Sequence, residues 1–142
     1  MLDVRYEAPG ERLAKLVSSF YRLDFAGDHF SELERADRAQ FRFQLKGHGE
    51  YHFANGTMST TFPVTIIGPT TAPVLAKSDC PLSIFGWGMP TAGWVALMGN
   101  NAGAYMDKAL DAQHIFGDWI LEVRDELIAA SDFSEQVELG CL

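Results

Sequence analysis

The sequence predicts a mainly β protein: a small antiparallel barrel or sandwich to about residue 89, followed by a helical segment. Three observations carry this reading. Ala39–Phe62 reads as a meander of three strands; Pro63 to Met89 continues as short β-branched or aromatic runs separated by Gly-Pro, Ala-Pro and Ser-Asp turns. At Pro90 the apolar spacing changes from alternation to the helical period. The expected division is residues 1–89 as the barrel with a short N-terminal helix, and residues 90–142 as helices packed on the barrel or at a dimer interface.

Taken in order, Leu13, Leu16, Val17 and Phe20 follow Pro9-Gly10 at helical spacing and predict an amphipathic helix over residues 10–19. Phe20–Phe25 alternates as a strand. Residues 26–37 are polar and read as a surface loop, in which Glu32-Leu33-Glu34 is able to extend a strand. Phe41-Arg42-Phe43-Gln44-Leu45-Lys46 alternates strictly, the mark of a strand with one buried face. A three-residue loop, Gly47-His48-Gly49, would pair Leu45 with Tyr51 and Phe43 with Phe53, keeping apolar residues together. Asn55-Gly56 predicts a type I′ hairpin with Phe53 opposite Met58 and Tyr51 opposite Thr60. Val64–Ile67, Val74–Lys77 and Leu82–Gly88 complete roughly seven or eight short strands; Gly86 and Gly88 in the last imply a bend or a close backbone approach.

Beyond Pro90, Trp94, Val95, Leu97 and Met98 mark a short helix that Gly99 ends. Asn100-Asn101 can cap a helical stretch over residues 102–108, and Asp111 can cap residues 112–116, with Gly117 as the stop. Phe116, Trp119, Ile120, Val123 and Leu127 lie on one face of a helix reaching about Ala130, and Phe133, Val137 and Cys141 begin another.

At 142 residues, 47% of them apolar and 12% aromatic, the chain has the makings of a single folded domain. No apolar run approaches the roughly 20 residues of a membrane helix. The N-terminal stretch lacks the basic and apolar regions of a secretory signal. Cys80 and Cys141 make no disulfide framework and read as reduced thiols, so the expected location is cytoplasmic. Eleven basic against 19 acidic residues, net −8, argue against this chain gripping a phosphate backbone itself.

Candidate chemistry is sparse. On one strand His48, Glu50 and His52 would face the same way, an alternative metal set, but the turn above puts His48 at a loop tip and the other two on the face opposite Tyr51 and Phe53. Neither cysteine has a nearby His, and there is no Gly-x-Ser-x-Gly elbow or glycine-rich phosphate loop. No catalytic residue and no cofactor is therefore expected. Phe41, Phe43, Leu45, Tyr51 and Phe53, with Phe85 and Trp87, form one apolar surface, read either as core or as the lining of a pocket for a small effector. In that register Arg42 and Gln44 face away. Phe116, Trp119, Ile120, Val123 and Leu127 either cover the barrel or form a two-fold helical interface in a homodimer.

Phe20-Tyr21, Glu34-Arg35-Ala36, IIGPTTAP (Ile66–Pro73), FGWGMPTAGWVALMG (Phe85–Gly99) and DAQHIFG (Asp111–Gly117) together resemble the N-terminal domain of a group of AraC-type transcription regulators. The resemblance runs from about Arg5 to Leu142. It implies a cupin-like β-barrel (jelly roll) that senses a small molecule or mediates dimerisation, non-catalytic, with DNA binding left to a C-terminal domain of two helix-turn-helix motifs outside these residues. The alternatives are a stand-alone cupin metalloenzyme using His48, Glu50 and His52, and a dimerisation module with no ligand. No membrane partner is expected.

Overall fold

A computed structural model describes residues 2–79, 81–99, 105–130 and 132–140. Among these described residues ten strands form two antiparallel sheets. β1 (Leu2–Glu7), β2 (Phe20–Phe25), β4 (Ala39–Lys46), β7 (Val64–Ile67), β9 (Leu82–Met89) and β10 (Ala109–Asp111) make a six-stranded sheet in the order β1-β2-β9-β4-β7-β10. β3 (Phe30–Glu34), β5 (Gly49–His52), β6 (Met58–Thr60) and β8 (Val74–Ser78) make a four-stranded one in the order β3-β8-β5-β6. Among the described residues the sheets do not close into a barrel. Among the described residues four helices follow or interrupt the last strands: α1 (Thr91–Met98), α2 (Ala112–Phe116), α3 (Trp119–Ala129) and α4 (Phe133–Gly140).

The larger sheet is the middle layer, with apolar residues on both of its faces. Phe20, Phe41, Phe43, Leu45, Val64, Ile66 and Phe85 point to the helical side, where Trp94, Ile120, Leu127, Phe133 and Val137 complete a core. Tyr21, Ile67, Leu82 and Ile84, from the alternate positions, point to the smaller sheet and meet Phe30, Tyr51, Phe53, Val74 and Ala76. On the helical side Phe41 stacks on Trp87 with ring centroids 4.7 Å apart and planes 3° from parallel.

This layering overturns the expected first hairpin. β4 pairs with β7 and β9, and β5 with β6 and β8. Phe43 therefore lies opposite Phe85 and Val64, not Phe53. Gly47-His48-Gly49 is a corner by which the chain leaves one sheet for the other, held by the His48 N–H donating to Asp79 Oδ1 at 2.6 Å. The Asn55-Gly56 hairpin forms one residue out of the expected register, with His52 opposite Met58 and Tyr51 opposite Ser59. Of its turn residues only Gly56 takes positive φ, at 88°. Its N–H closes on Phe53 O at 3.0 Å while Asn55 Oδ1 accepts from the Thr57 N–H. The result is a three-residue loop rather than a type I′ turn.

Where a helix was expected over residues 10–19, residues 11–16 are a run of turns: the Ser18 N–H bonds to Gly88 O, drawing the chain into β2 after a single helical closure from Val17 to Leu13. β1 and β10 were not foreseen; both are edge strands, β1 exposed along nearly its whole length and β10 only three residues long, so neither writes a period into the sequence. β3 is longer than the Glu32–Glu34 extension.

The caps expected at Gly99, Asp111 and Gly117 are present. The α1 stop is Gly99 at φ 73°, and the Asp111 side chain accepts from the Gln113 N–H at the start of α2. Gly117 separates α2 from α3, which starts at Trp119. Of the helical stretch expected over residues 102–108, residues 105–107 form a tight turn and no α-helix; Asn100-Asn101, residues 102–104, Cys80 and Cys141 lie outside the described residues. Among the described residues no helix is long and apolar enough to cross a membrane.

Candidate functional site

Arg42 belongs to the face of β4 that the sequence reading set aside. Its side chain enters the space between the sheets, only 13% exposed, and gathers partners from three strands. Nε donates to Tyr21 Oη on β2 at 2.7 Å. Nη1 donates to Tyr51 Oη on β5 and to Glu34 Oε2 on β3, both at 3.3 Å, and Nη2 donates to Glu34 Oε1 at 3.0 Å. The Glu34 contact is a two-pronged ion pair. The guanidinium carbon also lies 5.7 Å from the Tyr21 ring centre and 5.9 Å from that of Tyr51, close enough for cation–π attraction.

The glycines of β9 make the convergence possible. Tyr21 and Arg42 flank Gly86 on neighbouring strands, and their side chains meet over it. A Cβ at Gly86 would run into the Phe41 carbonyl and come within 3.0 Å of Tyr21 Oη. Gly88, two residues on, shares this face, where a Cβ would meet Ser18 Oγ. The close approach inferred from the sequence is thus a bare strip of β9.

Above the strip lies a cleft of about 600 Å³ between the sheets, within the size range of small-molecule sites. Its back is the Tyr21–Arg42–Tyr51–Glu34 cluster; Leu23, Ile67 and Val74 give it apolar wall, and Arg35, Asp37, Arg38 and Thr70 form the mouth. Among the described residues the Arg35 and Arg38 guanidinium groups have no ion-pair or hydrogen-bond partner.

Burial pushes the Tyr21 phenol well above its ordinary value of 10.0, and Arg42 offsets that only in part. Burial raises Tyr51 as well, again against the pull of Arg42. For Arg42 burial disfavours the charge, but Glu34 and then the two tyrosines outweigh it, so the guanidinium holds its proton more tightly than usual. The site is one fixed cation, paired to a carboxylate, with two neutral phenols.

The structure parts the expected pocket residues. Tyr51 lines the cleft. Phe53 is in the core between the sheets, while Phe41, Phe43, Leu45, Phe85 and Trp87 pack on the helical side, away from the cleft. The physical reason is that β4 is buried on both faces, so its apolar face marks the helix side rather than a cavity. Arg42, Glu34 and Tyr21 were missed. Their signal was an arginine at the centre of an aromatic strand and two glycines at alternate positions of another, which demand something bulky above them.

The alternative metal set is not assembled. His52 Nε2 lies 2.8 Å from Glu50 Oε1 on the outer face of the smaller sheet, and His48 is exposed at the corner. Among the described residues no three His, Cys, Asp or Glu side chains are grouped to hold a metal. On the helix face, Ile120 and Leu127 are buried against the larger sheet, Phe116 and Val123 are half-buried, and Trp119 is 54% exposed. Ile120 and Leu127 are therefore spent within the chain, and of the five residues expected at a dimer interface Trp119 alone is exposed.

Comparison with family models, with curated proteins and with solved structures finds no match.

Proposed function

We propose that this chain is a non-catalytic regulatory module that binds a small effector in the cleft between its sheets, as the sensing domain of an AraC-type transcription regulator. On this reading the two sheets are an opened, cupin-like jelly roll, DNA is met through a helix-turn-helix domain outside these residues, and the module works as a homodimer in the cytoplasm. The observation that carries it is the cleft itself, with a hydrogen-bonded polar cluster at its back and an apolar wall.

Signalling follows from strands that serve both faces. Tyr21 reaches the cleft while the next residue, Arg22, donates from Nη1 to Gln136 Oε1 of α4 at 3.0 Å. Arg42 reaches the cleft while Gln44 O, two residues on, accepts from Arg124 Nε of α3 at 2.7 Å. An effector that binds one placement of β2 and β4 more tightly than another biases α3 and α4 with it.

A melting-temperature screen of small metabolites tests the reading. At least one compound should raise the midpoint of the wild-type chain and lose its effect in Val4→Trp, which fills the cleft from the half-buried edge strand β1. A screen in which every stabilising compound acts equally on Val4→Trp would contradict it.

A further inference from the structure

We propose that the cleft takes a small monocarboxylate with an apolar body, its carboxylate received by the Tyr21 and Tyr51 hydroxyls at the back while Arg35 and Arg38 at the mouth supply the balancing positive charge. This rests on the cleft being the effector site and adds the chemical class of the effector.

A guanidinium only donates, so each tyrosine oxygen that Arg42 reaches acts as an acceptor, and the hydroxyl proton must go elsewhere. Among the described residues neither Tyr21 nor Tyr51 donates its hydroxyl proton to any group. Two O–H donors, polarised by the same cation, are thus left for an acceptor from outside. Arg42 is not itself that receptor, because Glu34 occupies both of its terminal nitrogens.

Charge narrows the class. Three of the chain's 11 basic residues border this cleft, in a protein of net charge −8. Against Arg35, Arg38 and Arg42 stand Glu34 and Asp37, leaving a lining of one net positive charge. Asp37 is turned inward on its own loop, with Oδ1 accepting from the Arg38 N–H at 2.8 Å and Oδ2 from Gln40 Nε2 at 3.4 Å. The unpaired cations at the mouth are Arg35 and Arg38, and arginine is suited to carboxylates. A monoanion balances the lining; Leu23, Ile67 and Val74 suit the rest of the molecule.

The test measures melting temperature and affinity at constant ionic strength with phenylacetate, 3-phenylpropionate and octanoate, beside the amide of each acid and an equal concentration of sodium chloride. At least one carboxylate should stabilise the chain while its amide and chloride do not. Arg38→Gln, at an exposed position, should raise the Kd about tenfold, and Tyr51→Phe should raise it comparably. Amides or chloride matching the acids, or an Arg38→Gln variant that binds unchanged, would overturn the assignment. If neutral compounds stabilise wild type and not Val4→Trp while no carboxylate does, the anion fails and the cleft stands. If no compound of either set shifts the midpoint, both fail.

Discussion

A guanidinium between two β-sheets is tolerated when its charge and its N–H groups are met, and at Arg42 the partners come from β2, β3 and β5 at once. Arg42→Met should therefore destabilise the fold by about 3 kcal/mol in chemical denaturation, chiefly by leaving the Glu34 carboxylate without its cation. Arg42→Met combined with Glu34→Gln should recover part of that loss, because the unpaired charge is gone. Tyr21 supplies a pH dependence. Its phenol is harder to ionise in the folded state, so the folded chain keeps a proton that the unfolded chain gives up. The corresponding stability is complete below the ordinary value of 10.0 and is lost as pH rises beyond it. Denaturation midpoints should fall above that pH, at no more than about 1.4 kcal/mol per unit for this group, and Tyr21→Phe should flatten the fall.

At the level of elements, β9 and the hairpin between β5 and β6 show glycines doing different work. A Cβ on Gly56 meets nothing within 4 Å, so Gly56→Ala should cost about 1 kcal/mol through backbone conformation alone. Gly86→Ala should cost more and should also disturb Tyr21, a difference that thermal denaturation combined with tyrosine fluorescence will read. The helix caps at Asp111 and Gly99 were plain in the sequence because capping is local chemistry between neighbouring residues. The strands from Phe20 and Phe41 were plain because alternation records a pleat. Alternation does not record which face meets a second sheet and which meets helices, and so Phe41 was read toward the pocket and Arg42 away from it. The pairing of β4 with β9 joins residues some forty positions apart, a distance at which no turn residue gives a clue. Tyr21, Glu34 and Arg42 meet only because of that topology.

Across the whole molecule, the larger sheet stands between the cleft and the C-terminal helices. Gln136, 1% exposed, joins them: its side chain accepts from Arg22 and donates to Leu127 O at 3.0 Å. Gln136→Leu should keep the apolar packing but loosen α4, seen as faster hydrogen exchange over residues 133–140 than over β4. The account as a whole turns on which face of the larger sheet receives a small molecule. The most direct measurement is NMR chemical-shift mapping of the chain with a stabilising compound. The account predicts perturbations centred on Tyr21, Arg42 and Tyr51, with the loop of Arg35 and Arg38. Perturbations centred on Phe41, Phe43 and Trp87, with Tyr21 and Tyr51 unmoved, would contradict it.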